Sequence, residues 1–344
     1  MNSTSGHKSC GRAPHEALSC RPALDECVRV SRYRATICLQ RPTRFHVTRA
    51  NHQPPGQTAN SVDALLADKQ YRLVGKLGHG AMGEVHAVIH SVLKRRFALK
   101  VIHPQYANEA RFVDRMRIEA QATARLHHPN IVEVVDFWVS SDGRPCIVME
   151  LLEGATVAHE LMVHGPFPVA EAVEYTCQLL SALSAALALG IVHRDIKPEN
   201  LFLHNAQGRP TILKVLDFGV ARVLPQASER APHPPIQPTD TGVIVGTPRF
   251  ASPEGLRGEK VDHRADVFSA GLVLYTMLTR HGAFDRMLPR DNPELYPVEP
   301  PSCRVNSGIT PALDRIVLNA IRWKIEERYQ NATDLLHDLR KLPR

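Results

Sequence analysis

Apolar and polar positions alternate from Tyr71 to Leu77, Val85 to Val92 is β-branched, and Arg96–Phe97–Ala98–Leu99–Lys100–Val101–Ile102 is an apolar run with one lysine, which together predict three consecutive strands. Between Ala107 and Arg125 the period changes. Phe112, Met116, Glu119, Thr123 and Leu126 recur at helical spacing and predict a helix that turns Glu119 inward. Two more strands are expected at Ile131 to Val139 and Pro145 to Met149, joined by the turn Ser141–Asp142–Gly143. After Gly154 the pattern becomes helical. A long Ala- and Leu-rich helix is expected from Val169 to Leu189, stopped by Gly190; an apolar one begins near Asp262 and runs to Leu278, and two closing helices cover Asp314 to Trp323 and Asn331 to Leu342. Between these, Ile191–Val192 and Leu201–Phe202–Leu203 read as brief buried strands that fix the two ends of a polar loop.

The first 60 residues have neither period, and their Ala-Pro, Arg-Pro and Pro-Pro steps read as breakers; a disordered tail is expected. They hold nine Lys or Arg against three Asp or Glu, so the tail carries +6 of the chain's +7 and the other 284 residues only +1. The basic balance therefore describes the tail. Its arginines are scattered, and no nucleic-acid partner is expected. The tail has no apolar signal segment, and the longest apolar stretch, Leu179 to Val192, is too short and too interrupted to span a bilayer. Seven cysteines lie at spacings that suit neither a zinc site nor a disulfide framework, which favours a reducing, cytoplasmic setting.

Chemistry concentrates in the loop Ile191–Val192–His193–Arg194–Asp195–Ile196–Lys197–Pro198–Glu199–Asn200. A carboxylate (Asp195) can take a proton from an alcohol, an ammonium two residues on (Lys197) can hold phosphate charge, and an amide oxygen (Asn200) can ligate a hard cation. Gly78–His79–Gly80–Ala81–Met82–Gly83 leads into a strand and not a helix, so it reads as a glycine hairpin whose backbone N–H groups can approach phosphate oxygens. Lys100 is a lone cation in an apolar strand and Glu119 a lone carboxylate on an apolar helix face; each is costly to bury alone, and they are expected to pair.

In kind, order and spacing these motifs resemble the protein kinases, over about Tyr71 to Leu342, and most closely the bacterial serine/threonine members. The resemblance implies an α+β bilobal fold: a small antiparallel β lobe with one key helix (71–149), a hinge (150–154) and a larger, mainly helical lobe (155–342). It implies ATP and Mg²⁺ as cofactors and proteins as substrates. Asp195 is then the catalytic base, with Lys197 and Thr247 beside it. Leu77, Gly78, Gly80, Gly83, Val85, Ala98, Lys100, Glu119, Met149, Glu150, Leu152 and Phe202 bind the nucleotide. Met149 takes the gatekeeper position, and Asn200 with Asp217 of Asp217–Phe218–Gly219 holds the metal.

The resemblance further implies that Glu254 pairs with Arg328 and that Asp266 bonds the catalytic-loop backbone. Ser252 stands where the family usually has alanine. In the long segment before Glu254, Thr239 and Thr241 are similar to an autophosphorylated pair. A phosphate there would face Arg194, and autophosphorylation would involve a transient homodimer. Pro289, Pro293, Pro297 and Pro300 shorten a region that often docks substrates in the family. Two rival classes share part of the pattern. A scaffold without catalysis should lack one of Lys100, Asp195, Asn200 or Asp217, and a small-molecule phosphotransferase should not need Thr247 and Ser252–Pro253–Glu254.

Overall fold

The structure, a computed structural model, describes residues 62–80, 82–107, 110–206, 208–218, 248–284, 298–305 and 308–343, all within one compact unit. The tail at 1–60, Thr239, Thr241, Thr247 and most of the proline-rich segment lie outside the described residues, as does the side chain of Glu119.

The small lobe opens with one helical turn, α1 (Val62–Leu65), followed by β1 (Tyr71–His79), β2 (Gly83–His90) and β3 (Arg96–Ile102). Helix α2 (Ala110–Thr123) precedes β4 (Val134–Val139) and β5 (Pro145–Glu150). The five strands form one antiparallel sheet in the order β1-β2-β3-β5-β4. Alternation gives the sheet two apolar faces. Met116 packs with Ile102 and Ile147 on one side, while Val88, Phe97, Leu99 and Trp138 form the other. The sequence reading starts the ordered part at Tyr71, but the structure begins at Val62: Leu65 and Leu66 are buried against that second face, and Tyr71 stacks on Trp138 at 6.1 Å. A single turn with two inward leucines is too short to show a period.

The large lobe starts with β6 (Gly154–Thr156) and α3 (Val157–His164), whose first turn is capped by Thr156 Oγ1 accepting the His159 N–H at 3.2 Å. Then come α4 (Val169–Ala188), β7 (Leu201–His204), β8 (Ile212–Val215), α5 (Pro253–Leu256) and α6 (Arg264–Thr279). Helices α7 (Pro301–Arg304), α8 (Pro311–Ala320) and α9 (Ala332–Arg340) follow. Strands β6, β7 and β8 pair into a small antiparallel sheet. Helix α6 is buried from Ala265 through Thr279, so it needs no polar face and its sequence shows none. It packs closely on the end of α8: a Cβ on Gly271 would stand 2.8 Å from both Ala320 and Ile321 side chains.

Two sequence expectations are corrected here. Ile191 and Val192 are buried but belong to no named strand, because the neighbouring N–H groups bond elsewhere: Ile191 donates to Ala186 at the end of α4, and His193 to a carboxylate of α6. Helix α8 begins at Pro311, ahead of the expected Asp314, since Thr310 caps it by accepting the Leu313 N–H and proline suits the first turn. The buried α1 segment gives a testable outcome. Leu66→Ala should lower unfolding stability by about 2–4 kcal/mol in urea titrations, as for other buried leucines, whereas replacing its exposed neighbour Asp68 by alanine should change it by less than about 0.5 kcal/mol.

Candidate active site

The polar loop between α4 and β7 is held from beneath by Asp266 in the first turn of α6. Its carboxylate accepts the backbone N–H of His193 through Oδ2 and that of Arg194 through Oδ1, each at 2.7 Å. Burial pushes the Asp266 carboxyl upward, opposed by His193 and by the two N–H donors. Gripped in this way, Arg194 takes a left-handed backbone, φ 64°, which a non-glycine residue adopts only when its surroundings enforce it. His193 is fully buried. Its Nδ1 accepts the Asp195 N–H at 3.2 Å, so its Nε2 carries the proton donated to the Leu216 carbonyl at 2.9 Å, and its ring meets Phe218 edge-on at 4.7 Å.

Three of the sequence-selected side chains meet above this floor. Lys197 Nζ lies 2.7 Å and 3.0 Å from the two Asp195 carboxylate oxygens. Asn200 Nδ2 donates to Asp195 Oδ2 at 2.9 Å and to the Asp195 carbonyl at 2.8 Å. The amide orientation is thereby set, and the Asn200 carbonyl oxygen is left for another ligand. From the other side, Lys100 of β3 donates to Asp217 Oδ1 at 2.6 Å. Burial would raise the Asp217 carboxyl, but Lys100 first, then His193 and Lys197, outweigh it and hold it below the ordinary value, so Asp217 is an anion. Its backbone too is left-handed, φ 53°, while the next residue, Phe218, is sealed in the core. The described partner of Lys100 is thus Asp217.

Asp217 and Asn200 offer hard oxygens; the Asp217 side chain is 37% exposed, while Asn200 is buried. Such a donor set suits Mg²⁺, which takes one or two protein oxygens and fills its octahedron with phosphate and water. Among the described residues no cluster of three His, Cys, Asp or Glu side chains could hold a metal on its own.

Above the site, β1 and β2 stay paired as far as His79 and Glu84, and the turn closes with the Gly80 N–H donating to Gly83 at 2.8 Å. Gly78 and Gly80 have nothing within 4 Å of where a Cβ would stand, whereas a Cβ on Gly83 would fall 2.2 Å from the Val101 carbonyl of β3. The first two leave open space for a ligand; the third lets the hairpin lie against the sheet. Ala98 faces Met149 across the β3–β5 ladder, and Val85 and Phe202 are half-buried. Past β5, the Glu150 N–H is taken by the Glu133 carbonyl, while among the described residues the Leu152 N–H takes no backbone bond. Leu77 is exposed at the sheet edge. A mostly apolar cavity behind Met149 reaches Met82, Met116, Lys100 and Phe218.

One participant was missed by sequence reasoning. Lys214 of β8 is buried and donates to Glu150 Oε1 at 2.5 Å and to the Ile131 carbonyl at 3.4 Å, and the same carboxylate oxygen accepts the Glu133 N–H at 2.9 Å. The segment around Asn130 is bonded to the large lobe as well, through Gln178 and the Leu213 carbonyl. Lys214 joins the segment after β5 to the strand that leads into Asp217. A lysine inside an apolar strand, the signal that marked Lys100, was available to find it.

Glu254 and Arg328 form the expected pair. Arg328 holds both carboxylate oxygens, at 3.0 Å and 2.7 Å, with the Glu254 side chain 4% and the Arg328 side chain 0% exposed, and adds bonds to the Arg322 and Trp323 carbonyls. Burial would raise the Glu254 carboxyl; the guanidinium outweighs it and keeps it below its ordinary value of 4.5.

A family model described as "Protein kinase domain" matches residues 71–307. The chain is 37% identical over 285 residues to "Serine/threonine-protein kinase PknB" of Mycobacterium leprae, covering 80% of this chain and 43% of that protein. It is 34% identical over 267 residues to "Serine/threonine-protein kinase pkn3" of Myxococcus xanthus, covering 76% and 48%. To "Serine/threonine-protein kinase PknL" of Mycobacterium tuberculosis it is 35% identical over 285 residues, covering 82% and 68%. The chain thus spans less than half the length of the first two relatives. Among solved structures, the PknI kinase domain of Mycobacterium tuberculosis superposes with a TM-score of 0.60 at 25% identity, covering 79% of this chain and 96% of that one.

Removing one half of the buried pair should be costly. Arg328→Met should destabilise the protein by about 3–5 kcal/mol, since it leaves Glu254 buried without its cation. The pair's pH dependence follows from the lowered carboxyl: its contribution is complete above the unfolded value and is lost as pH falls through the lower folded one. Urea unfolding of wild type and Glu254→Gln should therefore differ most near neutral pH and converge below about pH 4.5.

Proposed function

The chain belongs to the protein kinase family, and on that premise we propose that it is a serine/threonine protein kinase that transfers the γ-phosphoryl group of ATP to protein hydroxyls. One observation supports this most strongly. Lys197 and Asn200 both converge on the Asp195 carboxylate, while Asp217 stands as an anion on Lys100. Residues 71–342 form the catalytic unit in this reading, with a small lobe to 149 and a hinge at 150–154.

Asp195 accepts the proton of the acceptor hydroxyl as its oxygen bonds to the γ-phosphorus, and the bond from that phosphorus to the bridging oxygen breaks to release ADP. Lys197 moves from Asp195 towards the transferring phosphoryl group and stabilises its charge. Thr247 shares the Asp195–Lys197 contact and orients the acceptor. Asn200 and Asp217 hold Mg²⁺. When bound, MgATP supplies the electrophile and the counter-charge for the phosphates. Lys100, positioned by Glu119, neutralises the α- and β-phosphates, and Gly78, Gly80 and Gly83 let backbone N–H groups reach their oxygens. Val85, Ala98 and Phe202 would hold the adenine, with the backbone near Glu150 and Leu152 to bond it, Met149 as gatekeeper and Leu77 beside them.

Control belongs to the segment before Glu254. Autophosphorylation at Thr239 or Thr241, in a transient homodimer, adds an anion for Arg194 and activates the enzyme towards other proteins. The partners are protein substrates, with no nucleic acid. The cysteine spacings support a cytoplasmic location, and among the described residues no helix is long and apolar enough to cross a membrane.

Purified protein given labelled ATP and Mg²⁺ should label itself and an added protein substrate, with phosphate mapping to Thr239 or Thr241. Asp195→Asn should lose about 10²-fold or more in kcat with ATP affinity unchanged, because the base touches the acceptor and not the nucleotide. Lys100→Met should abolish turnover. Near-normal kcat in Asp195→Asn removes the assigned base, and full activity of protein shown by mass spectrometry to be unphosphorylated at both threonines removes the control step.

A further inference from the structure

Far along the chain from the catalytic loop, α8 and α9 leave an open-sided groove of about 590 Å³ between them. That volume lies in the range that ligand sites occupy, roughly 300–1,000 Å³. One wall is a single face of α8, where Ala312, Arg315, Ile316 and Asn319 recur at helical spacing, continued by Arg322. The other is made by Tyr329 and by the end of α9 with Lys341 and Leu342. The floor is apolar: Ile316 is buried, and Leu318 and Leu342 are partly buried against the large-lobe core.

The rim is cationic. Arg315, Arg322 and Lys341 border the groove, and Asp338 is the one carboxylate among its lining residues. Asp338 is already engaged. Lys341 Nζ sits 3.2 Å from one of its oxygens, and the Tyr329 hydroxyl donates to the other at 3.0 Å. Burial first, and Asp338 second, push the Tyr329 phenol up to about 12, so it keeps that proton at neutral pH. Arg315 and Arg322 are exposed, and their guanidinium groups have no hydrogen-bond or ion-pair partner among the described residues. Arg315 lies within α8 and Arg322 two residues past its end, so two separate cations border the groove, each able to take one acidic side chain of a segment.

We propose that this groove docks an acidic segment of the protein substrate, its carboxylates on Arg315 and Arg322 and an apolar side chain on the Ile316–Leu318–Leu342 floor. The occupant's role as substrate rests on the kinase reading; the groove and its charge do not. Docking here serves a chain whose usual docking region is interrupted by prolines at 289, 293, 297 and 300. It acts on substrate KM and leaves the chemical step alone, because none of these residues belongs to the catalytic loop or the nucleotide site.

The test uses the full chain in two arms. In the first, without ATP, fluorescence anisotropy follows a short labelled Glu/Leu peptide and its Lys/Leu counterpart. The acidic peptide should bind, more weakly as salt rises, and Arg315→Glu/Arg322→Glu should weaken it about tenfold or more. Arg315→Lys/Arg322→Lys should keep most of the affinity, and the exposed sites should leave Tm unchanged. In the second arm, dephosphorylated casein and myelin basic protein are substrates. The Glu variant should raise KM for the acidic casein alone, with kcat and KM for ATP as in wild type. Equal peptide affinity in wild type and the Glu variant, or equal binding of the two peptides, overturns the groove; an unchanged casein KM overturns its docking role. A wild type that binds the acidic peptide but transfers no phosphate keeps the groove and removes the kinase reading, so the two failures are told apart.

Discussion

A carboxylate buried at the start of a helix, Asp266, accepts two consecutive backbone N–H groups, and the geometry of the catalytic loop depends on that grip. Taking the charge from water is unfavourable by several kcal/mol, which the two charge-assisted bonds oppose without cancelling, so the carboxyl stays above its ordinary value. In return the loop is fixed where hydrogen bonding within a strand could not fix it. Arg194 is held with positive φ, a strain of about 1–3 kcal/mol, and the chain turns so that Asp195, Lys197 and Asn200 face one point. His193 passes the same constraint on. Its ring bonds the Leu216 carbonyl and packs on Phe218, so the residues on either side of Asp217 are tied to the floor that carries Asp195.

The small lobe joins this floor through another buried polar seam. Val215 is bracketed by backbone bonds to the segment before β4, accepting the Val132 N–H and donating its own N–H to the Asn130 carbonyl, and Lys214 spans from β8 to Glu150. Lys100 and Lys214 therefore do similar work at two depths. Each places a cation in an apolar strand and satisfies it with a carboxylate from a distant part of the chain. The first holds Asp217, and the second holds the end of β5 at Glu150.

How much of this could be read from the sequence follows from whether the information is local. The strands of the small lobe and helix α4 were legible to within a few residues from their patterning, and α6, which has no polar face, from the length of its apolar run. The Glu254–Arg328 and Asp266 contacts span 74 and about 72 residues and became legible only through the family resemblance. For Lys100, helical spacing nominated Glu119, whose side chain lies outside the described residues; the bond to Asp217, 117 residues away, is one that periodicity on a single helix could not foresee. Helix α1 was too short for a period. The Lys214–Glu150 bond spans 64 residues, and no local pattern names Glu150 as the partner. The groove between α8 and α9 was illegible, since neither helix shows what the other leaves uncovered.

The most direct test of the account is the turnover of Asp266→Asn, measured as transfer from γ-labelled ATP alongside ATP affinity by calorimetry. An asparagine keeps one acceptor oxygen but turns an amide donor towards the second N–H, so it releases half of the grip while preserving shape. The account predicts that wild type transfers phosphate and that the variant, still folded and still binding MgATP with wild-type affinity, loses roughly 10²-fold in kcat, as displacement of a catalytic loop by about an ångström does. Turnover equal to wild type in that variant, or no transfer by wild type at all, would contradict it.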